Sequence, residues 1–417
     1  MERTFRQLMI MFASRILSQN QLLVTKRKYS GYRDLVAKMI IRRHVMPKLD
    51  EINVSFKTDH VSLLQYVSDK ISEFLNQQKV QGKVYDYFYS KNTNQPTLYS
   101  SAYACMTLSL LGRLNALTSD QKTRWVEYFD TFQSADDGLF YDPVVDSELF
   151  STADWWGARH LALHMISAYT DLGGKPKYPF SFLEEYYDRG HMKNWLDGFD
   201  WNSSITHADD IDNKIMNIGC LLQYQRDTWK DAQAGMAVSY LQQYLLEKIN
   251  PETGMWGRFD VNDPYQRSRM VQFAYHLFSL FFYDNIQVEH PDKVVRIVLA
   301  TQNKLGGFGV KLNSSACEDI DSINILIRFS NMSPNRKMEI DAALRKALSW
   351  VLCNQVDDGG FVFRLDEAMT YGHNEMANEK NHGSMFPTWF RTLSLAYLAR
   401  HFSIEGFQIK PAPGLEN

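Results

Sequence analysis

From about residue 60 onward the chain alternates between two hydrophobic patterns. One has an apolar face and a charged face with helical period, at roughly 61–76, 119–133, 180–197, 229–249, 289–303 and 336–354. Such helices put one side on a core and the other in water. The second pattern opens with a polar cluster and continues with small, apolar and aromatic residues almost all round, at 98–114, 151–169, 207–225, 263–282, 314–329 and 382–401. A helix apolar on every side is buried. Six of each in strict alternation predict an all-α (α/α)6 toroid, with six inner helices ringed by six outer ones and the first pair packed on the last.

The junctions repeat as well. Gln133 to Phe140, Gln302 to Phe308 and Gln355 to Phe361 each run from a glutamine through glycine to an aromatic, after an outer pattern and before an inner one; Pro251 to Trp256 is a looser copy. Glycine supplies the left-handed backbone that ends a helix, the aromatic packs back over the turn, and the glutamine amide bonds backbone groups left open at the helix ends. Units of this kind cannot bury their apolar faces alone, so neighbours must stack.

In such a ring the inner helices all begin at one mouth, where unpaired amides and positive dipole ends converge. Two of the six starts carry acidic clusters: Asp209, Asp210 and Asp212 before Asn213, and Glu318, Asp319 and Asp321 before Ser322. Acids are favoured in a first helical turn, but one per helix satisfies that preference. Clustered carboxylates in a poorly solvated cavity repel one another, so one stays protonated near neutral pH and can serve as a general acid. Trp155, Trp156, Phe273, Tyr275, Phe278, Phe386, Trp389 and Phe390 are expected on inner helices, where aromatic faces either fill the core or stabilise a cation. Arg267, Arg269 and Arg391 are expected to face the carboxylates or to bind an anionic head group.

The glutamine-glycine-aromatic turns resemble the QW motifs of the squalene-hopene cyclase and protein prenyltransferase superfamily, over nearly all of residues 60 to 401. The resemblance implies class II terpene cyclase chemistry, in which the middle acid of an Asp-x-Asp-Asp motif protonates a polyprenyl chain. Asp319, Ile320, Asp321 and Ser322 are similar to that motif, with serine in the last place. Asp321 would then be the proton donor and Asp319 its partner; Asp212, after Asp209 and Asp210, is the alternative donor. Trp155, Trp156, Phe386, Trp389 and His382 would line the site, and Arg267 and Arg269 would hold a diphosphate. This reading needs no cofactor, although zinc or magnesium are alternatives: Cys317, Asp319 and His382, or His373 in its place, look like the zinc set of the prenyltransferases. A different class remains open. Acids from the third and fifth inner helices, with His207 or His382 nearby, could flank a glycosidic bond at roughly 5 to 10 Å. A non-catalytic binding toroid is the third reading.

Composition adds one feature. With 45 Lys and Arg against 48 Asp and Glu, net charge −3, nothing points to nucleic acid. Cysteines 105, 220, 317 and 353 form no CxxC pair, as expected of reduced thiols in the cytoplasm. The first fifty residues, however, carry eleven Lys and Arg against three acids, interleaved with Phe5, Leu8, Ile10, Phe12, Ile16 and Leu17. Residues 1–55 therefore read as a basic amphipathic arm, 56–405 as the toroid and 406–417 as a tail. The arm suits an anionic membrane surface, resembles a mitochondrial presequence ending near Ser30, or straps the toroid.

Overall fold

The computed structural model describes Arg43, residues 45–201 and residues 210–414. The arm before residue 43, His207 and Asp209 lie outside the described residues. Contacts divide the chain into two compact units, Met1–Val54 and Ser55–Asn417. All six inner helices belong to the second.

That unit is a helical ring. Its outer elements are α1 (Met46–Gln78, shared with the first unit), α3 (Ser119–Asp130), α6 (Arg189–Asp197, preceded by a 3-10 segment Ser181–Tyr187), α8 (Ala232–Glu247), α10 (Pro291–Leu299) and α12 (Lys337–Cys353). Its inner helices are α2 (Leu98–Leu110), α5 (Ala158–Leu172), α7 (Ile211–Trp229), α9 (Pro264–Tyr283), α11 (Ala316–Ser330) and α13 (Met385–His401). A short α4 (Glu148–Thr152) precedes α5. Each inner helix packs on the next, and α13 returns to pack on α2, which closes the ring. The alternation read from the sequence is the alternation observed.

Two boundaries moved for local reasons. The backbone of α1 breaks at Asp59, whose carboxylate accepts the Ser62 amide at 3.0 Å and so caps the half that continues through 61–76. The fifth helix starts at Ala158 rather than near 151, because Gly157 (φ +111) turns the chain so tightly that a Cβ there would lie 2.4 Å from the Phe150 and Ala153 carbonyls. Trp155 and Trp156 consequently sit in the connection before α5, not on it.

The repeated turns fasten the ring. The side-chain amide of Gln133 donates to Gly138 O within its own turn and to Tyr178 O, just before the next outer element. Gln302 does the same with Gly306 O and Ala343 O on α12. Gln355 donates to Gly359 O and, across 288 residues of sequence, to Val67 O on α1 at 3.3 Å. In each case the glutamine amide bridges its own turn to a backbone carbonyl of the next outer element or of the segment just before it. At the opposite end of the inner helices the C-terminal tail runs across the floor: Gln408 N donates to Leu110 O at 2.8 Å, Lys410 Nζ reaches Asp171 O at 2.6 Å, and Ala412 is buried. Among the described residues no helix is long and apolar enough to cross a membrane.

Gly359 (φ +89) lies so close to α1 that a Cβ would come within 2.2 Å of Lys70 O, whereas Gly173 (φ +75) at the end of α5 has open space around it. Gly173→Ala is therefore expected to cost only the left-handed strain, about 1 kcal/mol, and Gly359→Ala about 3 kcal/mol, strain plus overlap. Denaturant unfolding of the two variants measures the difference; equal losses would mean that the turn is not clamped against α1.

Candidate active site

The buried ion pairs of the interior involve α7, α9 and α11, together with Arg391 of α13 and the Asp154–Arg159 pair at the start of α5. Asp212, fully buried on α7, accepts Arg269 Nη1 and Nη2 of α9 at 2.7 and 2.8 Å and His276 Nδ1 at 2.8 Å. Burial alone would push the Asp212 carboxyl up, but the bonds from His276 and Arg269 outweigh it and hold it well below the usual carboxylate range. It is a carboxylate at any ordinary pH. Asp210 points elsewhere: it accepts the backbone amides of Asp154 and Trp155 at 2.7 and 2.9 Å and Asn213 Nδ2 at 2.8 Å, so it shapes the connection before α5. Burial nevertheless raises its pKa.

The second cluster divides in the same way. Glu318 closes a capping box with Ser315 at the start of α11 and pairs with Arg364 Nη2 at 2.8 Å. Asp319 accepts four donors: Phe308 N at 2.8 Å, Ser314 Oγ at 2.7 Å, Trp350 Nε1 at 2.9 Å and Arg391 Nη1 at 3.0 Å. Burial pushes its carboxyl up while these donors, one of them cationic, pull it down. Asp319 thus ties the turn after α10 to α11, α12 and α13. Arg391 in turn donates to Val362 O and Phe363 O.

Asp321 differs from all of them. It is 2 % exposed, and among the described residues it forms no hydrogen bond or ion pair. Burial first, then the charges of Asp212 and Glu318, push its carboxyl well above the ordinary value, against a weaker pull from Arg269. Two acids of like sequence setting are therefore driven apart, the carboxyl of Asp212 held down by its partners and that of Asp321 pushed up by burial. One turn before it lies Cys317, whose thiol burial pushes up, and one turn after it Asn324, whose buried Oδ1 has no partner among the described residues.

The other three inner helices, α13, α2 and α5, supply an aromatic wall. Phe386 stacks on Tyr371 of the α12–α13 connection with centroids 4.4 Å apart, and Trp389 stacks on Tyr103 at 5.2 Å. Buried Trp156 stacks on Tyr99 at 6.3 Å, whereas Trp155 is exposed. His160 Nδ1 faces the Tyr99 hydroxyl at 3.0 Å, and its ring lies 4.4 Å from that of His164. Burial holds His164 down to about 3 and His160 well below its usual value, His160 being pressed further by His164 and by His276 across the ring. Both imidazoles are neutral. The sequence does not single out His160, His164, His276, Tyr103 or Tyr371 as site residues. The signal available is the four-residue spacing of His160 and His164 on an inner helix, which places both on one face; nothing in the local sequence marks Tyr371.

The remaining candidates are dispersed. Arg267 Nη1 turns to Val261 O at 2.8 Å. His382 lies ahead of α13, 3.9 Å from Glu379. With Asp319 committed to four donors, Cys317, Asp319 and His382 do not assemble, and among the described residues no three His, Cys, Asp or Glu side chains converge to hold a metal. A hollow of about 660 Å³ between α6, α8 and the turn after α8, lined by Asp197, Trp201, Tyr244 and Arg258 among others, shares no residue with this interior.

No protein-family description matches the chain, and no characterised protein matches it by sequence. Solved structures do resemble it. A type II terpene cyclase from Scytonema, bound to geranylgeranyl dihydroxybenzoate, matches 85 % of this chain and 99 % of its own at 12 % identity with a TM-score of 0.49. An ent-copalyl diphosphate synthase from Streptomyces platensis matches at 12 % identity and a TM-score of 0.41; 73 % of this chain covers half of that longer protein. A family 88 glycosyl hydrolase from Bacteroides vulgatus matches 81 % of this chain and 99 % of its own, again at 12 % identity, with a TM-score of 0.44. The likeness is one of helical architecture, shared by proteins of different chemistries, so function has to be argued from the side chains.

Proposed function

We propose that the protein is an enzyme that cyclises a polyprenyl substrate by acid initiation in the manner of the class II terpene cyclases, with Asp321 as the proton donor. One observation carries the reading: Asp321 is a buried acid that pairs with nothing among the described residues, held protonated beside an ionised Asp212. The Asp321 proton would pass to a terminal alkene carbon of the substrate, the π electrons forming the new C–H bond and leaving a tertiary cation. Attack by further alkenes closes rings, and the rings of Tyr99, Tyr103, Phe386 and Trp389 on α2 and α13 would stabilise charge without acting as bases. Loss of a proton, or capture of water, ends the sequence. Transfer leaves Asp321 and Asp212 as two carboxylates in one apolar interior, so reprotonation of Asp321 is strongly favoured.

The identity of the wall supports a hydrocarbon over a sugar. A sugar presents hydroxyls on every side and needs a matching density of polar groups, whereas half of this ring is aromatic. Asp319, in this reading, positions the helix start that carries Asp321 and donates no proton. Asp210 and Asp212 are likewise positioning residues.

Asp321→Asn is expected to lower turnover of geranylgeranyl diphosphate by about 10²–10⁴-fold, the usual share of a general acid. The same change should stabilise the protein at neutral pH. Because burial raises the folded-state pKa, the wild-type acid stabilises the fold below the unfolded pKa and loses that contribution as pH rises toward the folded one. The gain in Asp321→Asn should therefore be absent near pH 3 and grow by up to about 1.4 kcal/mol per pH unit above it. Turnover of a uronate-containing oligosaccharide, with none of any isoprenoid, would sink the terpenoid reading. Asp212→Asn has the opposite sign: it leaves Arg269 buried without its partner and is expected to cost about 3–5 kcal/mol at pH 7. Since the Asp212 pKa is depressed, its contribution is present above the unfolded carboxylate pKa and fades in acid, so urea titrations at pH 7 and pH 3 should show the penalty shrinking.

A further inference from the structure

The aromatic half of the interior is not wholly apolar. The Tyr103 hydroxyl, His164 Nε2 and Trp389 Nε1 are buried, and none of them makes a hydrogen bond of good geometry among the described residues, although the Tyr103 hydroxyl lies beside that of Tyr371. The three residues come from α2, α5 and α13, and their side chains touch pairwise. Ring centroids are 5.2 Å apart for Tyr103 and His164, 5.2 Å for Tyr103 and Trp389, and 5.0 Å for His164 and Trp389. Exposures of 0, 7 and 1 % leave no route for bulk water to satisfy them.

An unsatisfied buried polar atom costs about 1–3 kcal/mol, so three in mutual contact are unusual unless something answers them. Their chemistry defines what does. Trp389 Nε1 only donates, the Tyr103 hydroxyl donates or accepts, and a neutral imidazole offers one nitrogen that accepts. With the His164 proton on Nδ1, two donors and one acceptor match one hydroxyl oxygen, which accepts from Trp389 and Tyr103 and donates its own hydrogen to His164 Nε2. A hydrocarbon has nothing to offer them, and an anion would meet the lone pair of His164.

We propose that Tyr103, His164 and Trp389 form a subsite for a single hydroxyl group among the aromatic side chains of α2, α5 and α13. The hydroxyl belongs either to an alcohol-bearing ligand or to a bound water. Resting on the isoprenoid reading, the inference adds that the wall binds an oxygen as well as a chain.

The test pairs farnesol with farnesene, a prenyl alcohol and a hydrocarbon of the same carbon count, titrated into the full-length protein by calorimetry, alongside a crystal structure of the ligand-free protein. A ligand hydroxyl predicts that farnesol binds about tenfold tighter, the scale of one good hydrogen bond. That advantage, read as the ratio of farnesol to farnesene affinity within each protein, should vanish in Tyr103→Phe, which keeps the ring and loses the hydroxyl. Equal affinities, with an ordered oxygen within hydrogen-bond distance of two of the three atoms in the ligand-free crystal, assign the subsite to water. Equal affinities and a dry cluster overturn the inference and leave the isoprenoid reading standing. Failure of both probes to bind counts against the isoprenoid reading, and the crystal alone then decides the subsite: an ordered oxygen upholds it and a dry cluster overturns it.

Discussion

A backbone carbonyl on one outer helix, taken by a glutamine from the turn before it, is the contact on which the rest of this ring depends. The amide of Gln355 bonds Val67 O as that of Gln302 bonds Ala343 O, so the same device that joins adjacent units also joins the last to the first. The turn is thereby fixed at both ends, and the inner helix that comes after it leaves in a set direction. Where Asp319 gathers Phe308 N, Trp350 and Arg391 around it, the clamp extends inward and fixes the first turn of α11. The position of Asp321 is a consequence of those bonds, although it shares none of them.

The interior treats its charges unequally. Asp154 is held by Arg159, Asp212 by Arg269 and His276, Asp319 by Arg391, and Glu318 by Arg364. Buried carboxylates are costly unless paired, and these are. Asp321 has no such partner among the described residues, and burial pushes its carboxyl well above the ordinary value. Ion pairs gather on α7, α9 and α11, with Arg391 of α13 and Arg159 of α5 contributing as well, while α2, α5 and α13 carry most of the aromatic and neutral histidine side chains.

Much of this was legible in the sequence because it rests on local periodicity. The alternation of one-faced and all-round apolar helices predicts the ring, and the glutamine-glycine turns predict its joints. What the sequence concealed is long-range. Asp209, Asp210 and Asp212 look like Glu318, Asp319 and Asp321 along the chain, and only the partners that folding brings, Arg269 from 57 residues away and Arg391 from 72, distinguish a paired carboxylate from a lone acid. Tyr371 belongs to a connection without helical period and so carries no local signal at all. Trp155 and Trp156 were misplaced onto a helix because one glycine, Gly157, delays its start.

The glutamine bond that closes the ring spans 288 residues, and it is joined by others of like reach, such as Ser90 Oγ to Ala377 O, while the remaining glutamine joints link neighbouring units. Folding this chain is therefore easy in all steps but one. Each new helix pair can dock on the pair before it with a short loop, but the loop-closure entropy of the final joint is met only when α13 reaches α2. Until then Tyr99 and Tyr103 on α2 face solvent along an open seam. An arc without α13 would leave that seam uncovered, and the last inner helix serves as the keystone that ends its exposure.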